Sequence, residues 1–162
     1  MTVLSTTPDT ADLTLVVVAD LAATPERAWS LWAEPRTLER WWGPPTWPAT
    51  FDEHDLRPGG GAKYHMTGPD GTAAHGWWSF LAVDEPTRIE LEDGFADEHG
   101  VPAAGMPTTR MVVELEPGGT GTIMTITSHF ASQEALEEVL AMGMAEGMRE
   151  AVGQIDAILA AG

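Results

Sequence analysis

The sequence predicts an α+β domain in which a curved antiparallel sheet wraps around a long C-terminal helix, with two short helices after the first strand. Three observations predict it. A β-branched run over 13–20 leads into two helical segments that each start on a proline. Stretches of two-residue period then fill 47–129, separated by Gly- and Pro-rich turns. Beyond them, Leu136, Leu140, Met144, Met148, Ala151, Ile155 and Leu159 recur at helical spacing.

Within the first helical segment, 25–33, Thr24 is placed to cap, Pro25 takes the first position and Glu26 suits the first turn. Its buried face carries Ala28, Trp29 and Trp32. The second runs over 35–42 and is stopped by Gly43-Pro44-Pro45, because neither proline can donate a helical hydrogen bond. Strands follow at 47–56, 61–67, 74–84, 87–95, 109–116 and 121–129. The connection over 97–107 reads as a mobile entrance loop or as a plain insertion. Ser132 is placed to cap a single helix reaching about residue 160. Gly143, Gly147 and Gly153 inside it each cost about 1 kcal/mol relative to alanine, which points to close backbone approach or a bend. Gly143 and Gly147 have G-x-x-x-G spacing, but Glu146 and Glu150 rule out a membrane dimer. One long helix buries its apolar stripe best across a bent antiparallel sheet, a helix-grip arrangement that leaves room for a cavity.

The 162 residues make one domain, 13–160, behind a flexible N-terminus over 1–12. Eight Lys and Arg against 25 Asp and Glu give a net charge of −17, which repels phosphate backbones and anionic headgroups, so no nucleic-acid partner is expected. At 43 % hydrophobic residues with seven Trp, the chain is too apolar for a disordered acidic tail. The absence of cysteine removes disulfides, thiolate metal sites and a thiol nucleophile. No signal peptide is read over 1–12, and no segment approaches the roughly 20 apolar residues of a membrane span. The expectation is a soluble cytoplasmic protein with no membrane insertion and no cofactor; a homodimer is compatible with the sequence.

Ala28-Trp29-Ser30-Leu31-Trp32, Glu34-Pro35, Leu38, Arg40-Trp41-Trp42-Gly43-Pro44, Asp55-Leu56-Arg57-Pro58-Gly59-Gly60, Met66, Gly68-Pro69-Asp70-Gly71 and the late Gly147 form a combination. It resembles the activator of heat-shock protein 90 ATPase homologue-like branch of the SRPBCC (START-like) superfamily over residues 13–160. The resemblance implies the helix-grip fold and a deep cavity for a hydrophobic small molecule. Superfamily members include lipid carriers, hormone receptors and aromatic polyketide cyclases, so fold alone does not select an activity. This chain has Met148 where the family often carries Trp after the late glycine.

Asp52-Glu53-His54-Asp55 is the densest group of potential metal ligands, yet alternation along a strand splits it between two faces, and no metal is expected. The inward parity of this strand is ambiguous, since Phe51 marks one face and Leu56 the other; a bulge would let Phe51 and His54 both face inward. His75 shares a strand face with Trp77, Ser79, Leu81 and Val83, and Leu81 and Val83 as the natural core residues would aim it at the pocket mouth. A histidine bonded to a backbone carbonyl is the plainer account. Residues 58–61 lack the Ser or Thr and the helix of a phosphate-binding loop, and no serine lies on a G-x-S-x-G turn. Tyr64 and Met66 on one strand, Met111 and Met124 on others, and Met144 and Met148 on the helix form a lining with Trp42 and Trp77; an ordinary core is the competing reading. Trp41, Trp42 and Trp47 are alternatively an exposed patch for a protein partner.

The leading reading is a noncatalytic binder, carrier or sensor of a small hydrophobic or aromatic molecule, anchored by His54, Tyr64 or His75. The alternatives are a cyclase- or dehydratase-type enzyme with His75 or His54 as base and Tyr64 as donor, and a co-chaperone-like module binding a chaperone partner.

Overall fold

The computed structural model describes residues 3–161. Eight strands, β1 (Val3–Asp9), β2 (Thr14–Leu21), β3 (Ala49–His54), β4 (Gly61–Thr67), β5 (Ala73–Asp84), β6 (Arg88–Ala96), β7 (Thr108–Gly118) and β8 (Gly121–His129), make one antiparallel sheet ordered β1-β2-β8-β7-β6-β5-β4-β3. From β3 to β8 each strand pairs with its chain neighbour, through short connections except for residues 97–107 between β6 and β7. The β1–β2 hairpin docks on the far side of β8, with Thr14 opposite His129 and Leu21 opposite Thr122.

Residues 3–9 correct the expectation of a frayed terminus over 1–12. Their polar sequence carries no alternation to announce a strand, but β2 offers an open edge and backbone groups pair along it from Val3–Ala19 to Asp9–Thr14. The Asp9 carboxylate closes the hairpin by accepting from the N–H groups of Ala11 at 2.9 Å and Asp12 at 3.1 Å. Residues 1, 2 and 162 lie outside the described residues.

Helix α1 (Pro25–Ala33) is capped by Thr24, whose hydroxyl accepts from Arg27 N, and it buries Ala28, Trp29, Leu31 and Trp32. Helix α2 stops at Leu38 (Pro35–Leu38) instead of reaching residue 42. The next residues form a tight turn in which both Trp41 N and Trp42 N bond to Leu38 O. Gly43 has to be glycine, because a Cβ there would stand 2.0 Å from Trp47 O. Trp41 and Trp42 are buried, so they do not form the exposed patch read from the sequence.

The C-terminal helical segment is long but broken into α3 (Gln133–Ala141), α4 (Met144–Gly153) and α5 (Ile155–Ala161). Ser132 caps α3 through Ala135 N. The expected bend falls at Gly143, whose φ of 86° ends one helix and starts the next. Gly147 and Gly153 make no close approach to other atoms. Helix α4 rests on β1 and β2, and α1 on β7 and β8. One core joins α1, the Trp41–Trp42 turn, the inner sheet face and Met148, Val152, Ile155 and Ile158. No helix among the described residues is long and apolar enough to cross a membrane.

Candidate functional site

On β5 the buried residues are Gly76, Trp78 and Phe80, the opposite parity to that expected. The cause is a register shift between Phe80 and Ala82, which inverts the alternation part-way along the strand. Val83 therefore packs on the core from one side of the bulge and Trp78 and Phe80 from the other, while Leu81 is 49 % exposed. Extrapolating back from Leu81 and Val83 places His75 and Trp77 on the wrong face. His75 lies beside His65, ring centroids 5.6 Å apart, and His65 Nδ1 meets Asp52 Oδ2 at 2.8 Å. Trp77 lies flat over Gly94 and donates its indole N–H to Phe95 O at 3.1 Å. The 97–107 connection folds back near this outer face, with Gly100 against the Lys63 stem and Asp97 Oδ1 accepting from His99 N and Val101 N.

A second bulge, between Phe51 and Glu53 on β3, turns both Phe51 and His54 inward, the bulged alternative to the two plain parities of this strand. The His54 ring sits between Phe51 and Phe80, at 6.1 and 6.0 Å, and its Nε2 bonds to Trp32 O at 3.0 Å. Since a carbonyl only accepts, Nε2 carries the proton. Burial lowers the His54 pKa, the Trp32 carbonyl opposing it. The ring is held neutral as a packing group, with its proton committed to the backbone.

The inner face of β4–β6 holds the polar centre. Tyr64 on β4 extends across β5, where a Cβ on Gly76 would fall 2.4 Å from Tyr64 Cζ, and donates to Asp93 Oδ1 on β6 at 2.9 Å. Burial, then the Asp93 charge, holds the Tyr64 pKa well above its usual value, so the phenol stays a donor. Withdrawal from water pushes Asp93 up to about 7, against the opposing Tyr64 hydrogen bond and the pull of the nearby Trp78 and Gly94 N–H groups. Around this pair stand Trp42, Trp78 and Phe51, with ring centroids 6.2, 5.7 and 5.2 Å from Tyr64.

Of the residues read from the sequence, Trp42, Tyr64, Met111, Met124 and Met148 belong to this core, and Met66 and Met144 pack against it half-buried. Met124 has a further role, its sulfur accepting the Trp32 indole N–H at 3.4 Å. Asp93 and Trp78 escaped the sequence reading. A signal for Asp93 existed: it interrupts the inward series Ile89, Leu91, Phe95 with a carboxylate. Trp78 was masked by its neighbour Trp77, since adjacent tryptophans mark both faces at once. Among the described residues, a recess of about 420 Å³ is lined by His54, Ala62, Lys63, Trp77, Trp78 and Gly100, so it adjoins the inner-face residues His54 and Trp78 at the edge of this core. No three side chains among the described residues come together as metal ligands.

A sheet gripping C-terminal helices, with an aromatic inner face and a polar pair at its centre, defines a helix-grip protein. Residues 22–160 match the profile of the activator of Hsp90 ATPase homolog 1-like proteins, and the chain belongs to that family. It is similar to a protein from Arthrobacter aurescens solved by solution NMR, at 51 % identity over 99 % of this chain and 94 % of that one, with a TM-score of 0.93. A crystal structure of a protein from Mycobacterium smegmatis is 46 % identical over 97 % of this chain and 96 % of that one, with a TM-score of 0.90. The AHSA1 protein from Silicibacter pomeroyi shares the fold at 20 % identity, over 91 % of this chain and 97 % of that one, with a TM-score of 0.72. A search of curated proteins finds no similar chain.

Proposed function

We propose that this protein binds a small hydrophobic or aromatic molecule between the inner sheet face and the C-terminal helices, as a carrier or sensor. The observation that carries this reading is the Tyr64–Asp93 pair, a donor and a titratable carboxyl set among aromatic rings. A core built for packing alone gains little from a carboxyl group whose burial opposes its ionisation. Met66 from the sheet and Met144 from the helix, both half-buried against this core, are adaptable side chains suited to a hydrophobic ligand. The family fold supports the same reading, since it commonly houses hydrophobic ligands. A histidine base has no comparable support: the His54 proton is committed to Trp32 O, and His75 is on the outer face.

The test is titration with anilinonaphthalene sulfonate, an aromatic probe that brightens in apolar surroundings. Saturable binding at one probe per chain, abolished by combining Tyr64→Ala with Met144→Trp in a variant that keeps its cooperative unfolding transition, is the expected result. Unchanged binding in that variant overturns the assignment.

A further inference from the structure

The outer face of the sheet carries a set of side chains that the inner-face reading does not use. Glu53 lies opposite Lys63, Lys63 opposite Trp77, and Trp77 opposite Gly94, so one row of cross-strand partners runs from β3 to β6 on a single face. Gly94 gives the Trp77 ring its seat, since a Cβ there would stand 2.5 Å from the ring. The indole N–H is spent on Phe95 O at 3.1 Å. The ring is thereby fixed, with one face on the sheet and the other turned away from it. Beside it, Lys63 Nζ stands 3.9 Å from Glu53 Oε2, beyond hydrogen-bond distance, and neither group has another polar partner among the described residues.

Glu53, Lys63 and Trp77 all border the recess of about 420 Å³, which is walled by the turn over 59–61 and by Gly100 and Pro102 of the 97–107 connection. That connection is held in shape by Asp97 Oδ1, which accepts from His99 N and Val101 N, and by Ala103 N, which donates to Phe95 O at 2.8 Å. The recess is therefore formed before any ligand arrives. His54 and Trp78, which also border it, point into the core, so its available polar groups come from the outer row.

The charges here select a class of ligand. Although the chain carries −17, Glu53 faces Lys63 and Asp55 is paired with Arg57 at 2.7 Å, so charge around the recess balances. An anion would meet Glu53 and a cation would meet Lys63, with no surplus of either sign to hold it. A purely apolar body would strip water from a carboxylate and an ammonium without replacing its hydrogen bonds. A neutral molecule with several hydroxyls satisfies both groups, because a hydroxyl donates to Glu53 as readily as it accepts from Lys63. A flat face of C–H groups on the same molecule would cover the Trp77 ring, whose π-face is electrostatically negative. A pyranose combines the two, with hydroxyls around its edge and C–H groups on its faces.

We propose that the Glu53–Lys63–Trp77 row is a carbohydrate site, in which a neutral pyranose stacks on Trp77 and its hydroxyls bridge the Glu53 carboxylate and the Lys63 ammonium. The site is on the outer face and stands independently of the inner-face ligand.

The test is titration of the ¹⁵N-labelled protein with cellobiose and lactose, two neutral disaccharides, and with sorbitol, a polyol without a ring. The Trp77 indole N–H and the amides of Lys63 and Gly100 should shift saturably with at least one disaccharide and stay in place with sorbitol at the same concentration. Glu53→Ala and Lys63→Met, at side chains 66 % and 44 % exposed, should each weaken that binding about fivefold. Trp77→Ala should abolish it. Because Trp77→Ala opens a gap over Gly94, the two polar variants keep the test decisive should it fail to fold. Absent shifts with both disaccharides, equal shifts with sorbitol, or unchanged affinity in Glu53→Ala and Lys63→Met overturn the proposal. Binding of anilinonaphthalene sulfonate at the inner face is untouched by any of these outcomes.

Discussion

Tyr64 reaches Asp93 across an intervening strand, and the 2.9 Å hydrogen bond between them passes over Gly76. A glycine in the middle of a strand gives up side-chain packing and backbone order, and here that loss makes room for a phenol ring lying on the sheet. On the outer face Trp77 lies over Gly94 in the same way, so two neighbouring strands each carry an aromatic ring from a partner strand.

The Gly76→Ala variant puts a methyl group where the Tyr64 ring lies. Destabilisation of about 1–3 kcal/mol is expected from the overpacking. Urea unfolding measures it, and Tyr64→Phe, which keeps the ring and loses the hydroxyl, should leave the Gly76→Ala penalty in place.

Asp93 should give stability a distinctive pH dependence. Its folded-state pKa of about 7 is above the ordinary 3.8, so the folded protein holds this proton more tightly than the unfolded chain does. The contribution is full below about pH 4 and is lost as pH rises through 7, to a total of roughly 4 kcal/mol at most. Carboxylates held low by hydrogen bonds, including Glu90 and Asp20, act with the opposite sign. The difference between wild type and Asp93→Asn isolates the term: the wild-type advantage should shrink from pH 4 to pH 7 in denaturant titrations.

His54 is expected to titrate below its ordinary 6.5, because burial opposes its charged form. The stability that follows from a neutral ring is present above 6.5 and declines as pH falls through the lowered pKa. Histidine ring proton shifts followed against pH check the direction. His54→Ala, by leaving the Trp32 carbonyl unpaired, should cost about 1–3 kcal/mol.

Gly143 and Gly147 lie one turn apart and should respond oppositely to alanine. Gly147 is helical with open space around its Cα, so Gly147→Ala should stabilise by about 1 kcal/mol. Gly143 sits at φ 86°, where a side chain is strained, so Gly143→Ala should destabilise by about 1–2 kcal/mol. Thermal unfolding of the two variants separates a hinge glycine from a merely tolerated one.

The positions of β4 to β8, the caps at Thr24 and Ser132 and the bend at Gly143 were legible in the sequence, because they rest on local chemistry: alternation, turn residues, capping side chains and permissive glycines. Edge strand β1 was not, since its pairing comes from the open side of β2 and leaves no trace in its own pattern. Nor was the face of β5, where one bulge at Phe80–Ala82 reverses the parity and moves His75 and Trp77 outward. The polar pair itself depends on three strands: Tyr64, Gly76 and Asp93 are far apart in the chain and meet only once the register aligns them. From β2 onward the sequence alone determined which segments form strands and helices, because backbone preference there is decided within a few residues. Only the tertiary structure decided which side chains share the interior, because a single extra residue in one strand exchanges its faces and a polar partner two strands away has no local signature.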